Sequence, residues 1–128
     1  MPDLTTFCVG VTPMFVLRNA NMQLTSDQPF QKIGSFINWL PTSITGILTS
    51  GGVTVACLGG IYSASAKGGT AIVVAGQSWL GLTGALGATL ATIAALVAGM
   101  NITPILSLTT GSTGAATANL FIYGNILD

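Results

Sequence analysis

Six charged side chains serve the entire chain: Asp3, Arg18, Asp27, Lys32, Lys67 and Asp128, 5% of 128 residues, with a formal net charge of zero. Soluble domains carry roughly a quarter of their residues as charges. A monomer wrapped in so few would show large neutral and apolar patches, a condition that favours association and precipitation. The surface is therefore expected to be covered, either by a lipid bilayer or by other protein.

The same inventory excludes several classes of function. Half of the residues are hydrophobic, the opposite of a disordered chain. Three cations spread from Arg18 to Lys67 cannot form the basic stripe that neutralises phosphates, so nucleic acid is not an expected partner. Histidine is missing altogether, which removes the commonest general base and the commonest zinc ligand together. Asp3, Asp27 and Asp128 fall in an N-terminal arm, in a turn and at the last position, so a paired-carboxylate site would need two coincidences of folding. No enzymatic activity, cofactor or metal is expected. Asp27, after Thr25 and Ser26, reads as a turn-capping side chain that accepts its own backbone N–H groups. Cys8 and Cys57 fit no metal-binding spacing; they read as two buried or half-buried thiols in a reduced compartment, with a disulfide between them as the alternative. The first twenty residues lack a cationic region followed by an apolar one, so the chain is expected to remain in the cytosol of its host cell.

Along the chain, β signals dominate, and the length suits one domain. Residues 1–13, with Pro2 and Pro13, have no period and read as an arm able to reach a neighbour, leaving 14–128 as a single domain. Residues 14–24 become alternating, with Ala20, Met22 and Leu24 on one side and Asn19, Asn21 and Gln23 on the other. Residues 25–29 form a turn cluster, and 30–40 start a second strand that is broken by Gly34 and ended by Pro41. β-Branched residues between 43 and 63 suggest two strands joined at Gly51-Gly52, with Gly59-Gly60 as punctuation. Gly59-Gly60 and Gly68-Gly69 match no phosphate-binding loop and read as bends and turns. Residues 61–74 place Lys67-Gly68-Gly69 between two apolar runs, a hairpin or a longer-looped relative. Residues 102–110 and 115–126 read as a closing hairpin around a turn at 111–114. Trp39, Tyr62 and Trp79 read as core or strand-pair aromatics rather than a sugar platform. About eight short runs separated by glycine, proline or serine make the pattern of an all-β, jelly-roll-like β-sandwich.

Residues 79–100 are the exception, with twenty-two positions free of charge, long enough to cross a bilayer as a helix. Gly81, Gly84 and Gly87 with Thr83, Thr89 and Thr92 weaken that stretch, and no Lys or Arg follows Lys67 to set an orientation. A strand with a bend is the preferred reading, and a short helix at residues 91–98 is the alternative.

Two stretches, LRNANMQLTSDQPF at 17–30 and GGIYSASAKGGTAIV at 59–73, together with LSLTT at 106–110 and AATANLFIYG at 115–124, resemble small structural proteins of tailed bacteriophages. The resemblance implies a capsid decoration, or cement, protein of jelly-roll-like fold on the outside of an icosahedral head. Its partners would be the major capsid protein and copies of itself, as a dimer or trimer, with assembly in the host cytoplasm and final residence in the virion. Residues 79–100 depart from the family by being more apolar and richer in alanine. The candidate protein contacts are Phe7, Val9 and Val11 in the arm, and Lys67 in the 63–69 loop. For Lys67, a solvated loop tip and a salt bridge to a shell protein remain alternatives. A neck, tail or head-fibre protein is the second structural reading, and a small phage membrane protein with a helix at 79–100 is the third.

Overall fold

The computed structural model describes residues 13–37, 39–52, 57–79, 88–89 and 103–126. Among them run nine strands: β1 (Phe15–Asn21), β2 (Gln28–Pro29), β3 (Gln31–Lys32), β4 (Trp39–Gly51), β5 (Leu58–Ala64), β6 (Gly68–Val73), β7 (Ala88–Thr89), β8 (Ile105–Thr110) and β9 (Ala116–Ile126). They make two antiparallel sheets, a five-stranded one in the order β3-β1-β9-β4-β7 and a four-stranded one in the order β2-β8-β5-β6. The fold is an all-β sandwich, as the punctuated pattern of the sequence implies. The helix alternative at 91–98 lies outside the described residues.

The core lies between the sheets and follows strand alternation. From β9, Ala116, Ala118, Leu120 and Ile122 point inward; β1 contributes Phe15, Leu17 and Ala20, β8 contributes Leu106 and Leu108, and Ile61, Ile72 and Val73 come from the β5–β6 pair. Trp39 and Trp79 are both fully buried there, at 0% exposure. Phe15 joins the aromatic group, tilted against Trp39 at a 4.8 Å centroid distance and edge-on to Phe36 at 5.5 Å. Burial of this kind supplies the main stabilisation, on the order of 1.5–3 kcal/mol for each large apolar side chain.

Several local expectations change. The first strand ends at Asn21 rather than Leu24, whose side chain is exposed. Its pairing with β9 slips between Leu17 and Ala20, and Asn19 there has φ of 53°. That bulge turns two successive residues, Arg18 and Asn19, to solvent. Pro41 does not end a strand; it lies inside β4, where the register with β9 shifts between Pro41 and Ser43, and a bulge tolerates the missing N–H. Gly59-Gly60 is likewise inside a strand rather than between two. A Cβ at Gly59 would collide with the Leu108 backbone and one at Gly60 with the Val73 carbonyl, so these glycines allow close approach of neighbouring strands.

Two expected partnerships also dissolve. β8 and β9 flank the 111–114 turn but do not pair, because β8 lies between β2 and β5 while β9 lies between β1 and β4. The Ser112 N–H donates to the Met22 carbonyl, fastening the connection where it passes between sheets. β4 and β5, the two strands expected across Gly51-Gly52, also belong to different sheets. The expected hairpin at 61–74 does form, as β5–β6.

Candidate protein-contact surfaces

Of the predicted contact residues, Phe7, Val9 and Val11 lie outside the described residues, and Lys67 lies within them. Lys67 sits in the turn of the β5–β6 hairpin. The Gly68 N–H donates to the Ser65 carbonyl at 3.0 Å, and the two central residues, Ala66 and Lys67, have φ of 56° and 59°. A two-residue hairpin turn of this hand matches the twist of the strands but demands left-handed backbone, which glycine or asparagine adopts with least strain. Here an alanine and a lysine adopt it.

Two side-chain contacts hold that turn in place. The Ala66 N–H donates to Asp27 Oδ2 at 2.8 Å. Lys67 Nζ donates to Ser107 Oγ at 2.9 Å and to the Thr25 carbonyl at 3.4 Å. Asp27 therefore caps the backbone of a hairpin 39 residues away rather than its own turn, because the sandwich brings the 25–27 turn beside the tip. Lys67 is not a freely solvated tip: among the described residues its ammonium is used on the Ser107 side chain, which is only 1% exposed, and on no acid.

A broader feature is the outer face of the five-stranded sheet. Inward-pointing Leu120 and Ile122 leave Thr117, Asn119, Phe121, Tyr123 and Asn125 of the central strand β9 on the opposite face. Phe121 stands directly across from Val16 on β1 and Thr45 on β4, and Asn119 across from Ile47. None of these side chains is charged. Val16 and Thr45 are nearly buried although they face away from the core, and Thr45 Oγ1 has no hydrogen-bond partner among the described residues. The sequence carries a trace of this face, since LFIY at 120–123 breaks the alternation and places large apolar groups on both sides of one strand.

Three exposed isoleucines lie toward the end of the same sheet where β1 begins and β9 ends. Ile33, after β3, is 38% exposed, Ile37, before β4, 51%, and Ile126, the last residue of β9, 56%. Trp39 and Ile126 are register partners, and the Ile33 N–H donates to the Met14 carbonyl.

Cys57 is a free, buried thiol whose Sγ lies 3.6 Å from the Met22 carbonyl. Burial pushes the thiol up from its ordinary value, and the Ser112 backbone N–H pulls it partly back. Among the described residues, no group of three or more His, Cys, Asp or Glu side chains converges on a metal position. No known protein-family model, curated protein or solved structure matches this chain.

Proposed function

We propose that this chain is a non-enzymatic virion structural protein of the decoration, or cement, type, built on a jelly-roll-like sandwich and bound to the outer surface of a phage head that it stabilises. The observation that carries the reading is the uncharged outer face of β9, with Phe121 and Tyr123 set among Thr117, Asn119 and Asn125. Interface cores are depleted in charge and enriched in aromatics, whereas a solvated sheet face is ordinarily polar and charged. A protein that bridges neighbouring shell subunits acts by binding alone, stabilising the assembled state by mass action. Modest contacts repeated over a lattice sum to a large effect.

A neck, tail or head-fibre position uses the same neutral surfaces and differs in copy number. The membrane reading has less support, because the 79–100 stretch meets the sandwich at two points. Trp79 is buried in the core, donating Nε1–H to the Gly59 carbonyl at 2.9 Å, and β7 pairs Ala88–Thr89 with Gly46 and Thr45. Among the described residues no helix is long and apolar enough to cross a membrane.

Quantitative mass spectrometry of gradient-purified virions tests the proposal by counting this chain against the major shell protein. Hundreds of copies would support decoration of the head. A few to a few dozen would move the chain to a vertex, neck or tail, and its absence from virions would overturn both structural positions.

A further inference from the structure

We infer that Arg18 is the charged anchor of the outer face of the five-stranded sheet, and that the partner seated there is a protein other than this chain that presents a carboxylate to it. The inference rests on the reading that this face meets the shell, and it adds the chemistry by which the partner is recognised.

Arg18 stands apart from the other two cations. Lys32 Nζ donates to the Phe36 carbonyl at 2.6 Å, and Lys67 Nζ donates to Ser107 Oγ and the Thr25 carbonyl, so both ammonium groups are used within the domain. Arg18 is exposed and has no hydrogen-bond or ion-pair partner among the described residues. In a chain with three cations in all, its charge is the one left for something outside the domain.

The bulge in β1 fixes where that charge sits. The register runs from Leu17 opposite Leu120 to Ala20 opposite Ala118, so Arg18 and Asn19 together oppose Asn119, which belongs to the outer face. Bulges commonly serve to aim a side chain. Here the Asn19 N–H donates to Asn119 Oδ1 at 2.9 Å, which pins the backbone next to Arg18. Leu17 and Ala20 on either side point into the core, leaving Arg18 outside, two residues along β1 from Val16, which stands across from Phe121. A guanidinium near an aromatic ring on an otherwise neutral surface has the composition of an interface hot spot. Its planar fork matches a carboxylate with two parallel hydrogen bonds.

The same inventory argues against a second copy as the occupant. Among the described residues the one carboxylate is Asp27, which precedes β2 of the other sheet and is committed to the Ala66 N–H. Two copies meeting through this face about a twofold axis would therefore bury two guanidinium groups with no acid to receive them, which is costly. The complementary charge has to come from a different chain.

The experiment is cosedimentation of the full chain with shells assembled from the major shell protein alone. Arg18→Lys, Arg18→Gln and Arg18→Glu alter a side chain that is already exposed, where folding is least at risk, and circular dichroism checks each variant. The full chain is expected to bind, Arg18→Gln about tenfold or more weakly and Arg18→Glu more weakly still. Arg18→Lys should fall between the full chain and Arg18→Gln, because it keeps the charge and loses the fork. Added salt should weaken the full chain more than Arg18→Gln. Undiminished binding by Arg18→Gln and Arg18→Glu would overturn this inference and leave the decoration role standing. A full chain that does not bind the shells would sink both. Sedimentation velocity without shells tests the other occupant: self-association that Arg18→Glu abolishes would assign the face to a second copy and overturn the inference.

Discussion

Replacing each buried tryptophan by phenylalanine should give two very different costs, although both indoles are completely hidden. Trp79 donates Nε1–H to the Gly59 carbonyl. Trp39 Nε1 has no acceptor among the described residues. Trp→Phe removes part of a ring in both cases, which costs about 1–2 kcal/mol in lost contacts and residual cavity. At position 79 the change also strands a buried carbonyl, adding about 1–2 kcal/mol. At position 39 it instead removes a buried donor that was already unpaired, offsetting about 1–2 kcal/mol of the packing loss. Trp79→Phe should therefore destabilise by about 2–4 kcal/mol, and Trp39→Phe should change stability by no more than about 1 kcal/mol in either direction. Urea titrations followed by far-UV circular dichroism would measure this, with unchanged m-values as the check that both variants unfold from the same native state. Equal losses, or a larger loss at position 39, would refute the assignment of the two indole environments.

Three further outcomes follow from the geometry. Gly59→Ala should cost about 3 kcal/mol or more, or prevent folding, because the new methyl meets the Leu108 backbone of the adjacent strand rather than a movable side chain; thermal unfolding would show it, and a neutral result would contradict the close strand approach. Lys67→Met and Asp27→Ala should each cost about 0.5–1 kcal/mol, kept small by the exposure of the hairpin turn. Hydrogen exchange should then speed up at Ala66 and Gly68 ahead of the core strands. Because burial raises the Cys57 thiol, the unfolded chain ionises it first. Its contribution is thus fully present below the ordinary thiol value of 9.0 and is lost as pH rises toward the raised folded value. Stability measured from pH 7 to 11 should decline more steeply in the wild type than in Cys57→Ala, and parallel profiles would argue against a buried thiol.

Individual residues show how far the sequence could be read. Ala20 and Met22 were legible as core by alternation, but Leu24 was not, because the strand stops at Asn21 and the chain turns there, the Leu24 N–H donating to the Asn21 carbonyl. Pro41 and Gly59-Gly60 looked like punctuation because proline and glycine usually are. They are tolerated inside strands by a register shift in one case and a close interstrand contact in the other. Lys67 was visible as an isolated cation in a hairpin turn, whereas Ser107 and the Thr25 carbonyl, its partners, had no local signal. The exposure of Ile33, Ile37 and Ile126 was equally hidden, since nothing local in the sequence separates them from the buried isoleucines.

What the sequence determined by itself is the class of object: an all-β sandwich with a neutral surface. Both follow from local composition and period, since β-branched runs, glycine punctuation and six charges act wherever the chain goes. The tertiary structure decided which strands are neighbours and therefore which groups meet. β8 and β9, adjacent in the chain, were sent to opposite sheets, while Asp27 was brought to Ala66 and Phe121 was set between Val16 and Thr45. Pairing is chosen by the burial of many side chains at once, a sum over distant residues that no short window of sequence contains.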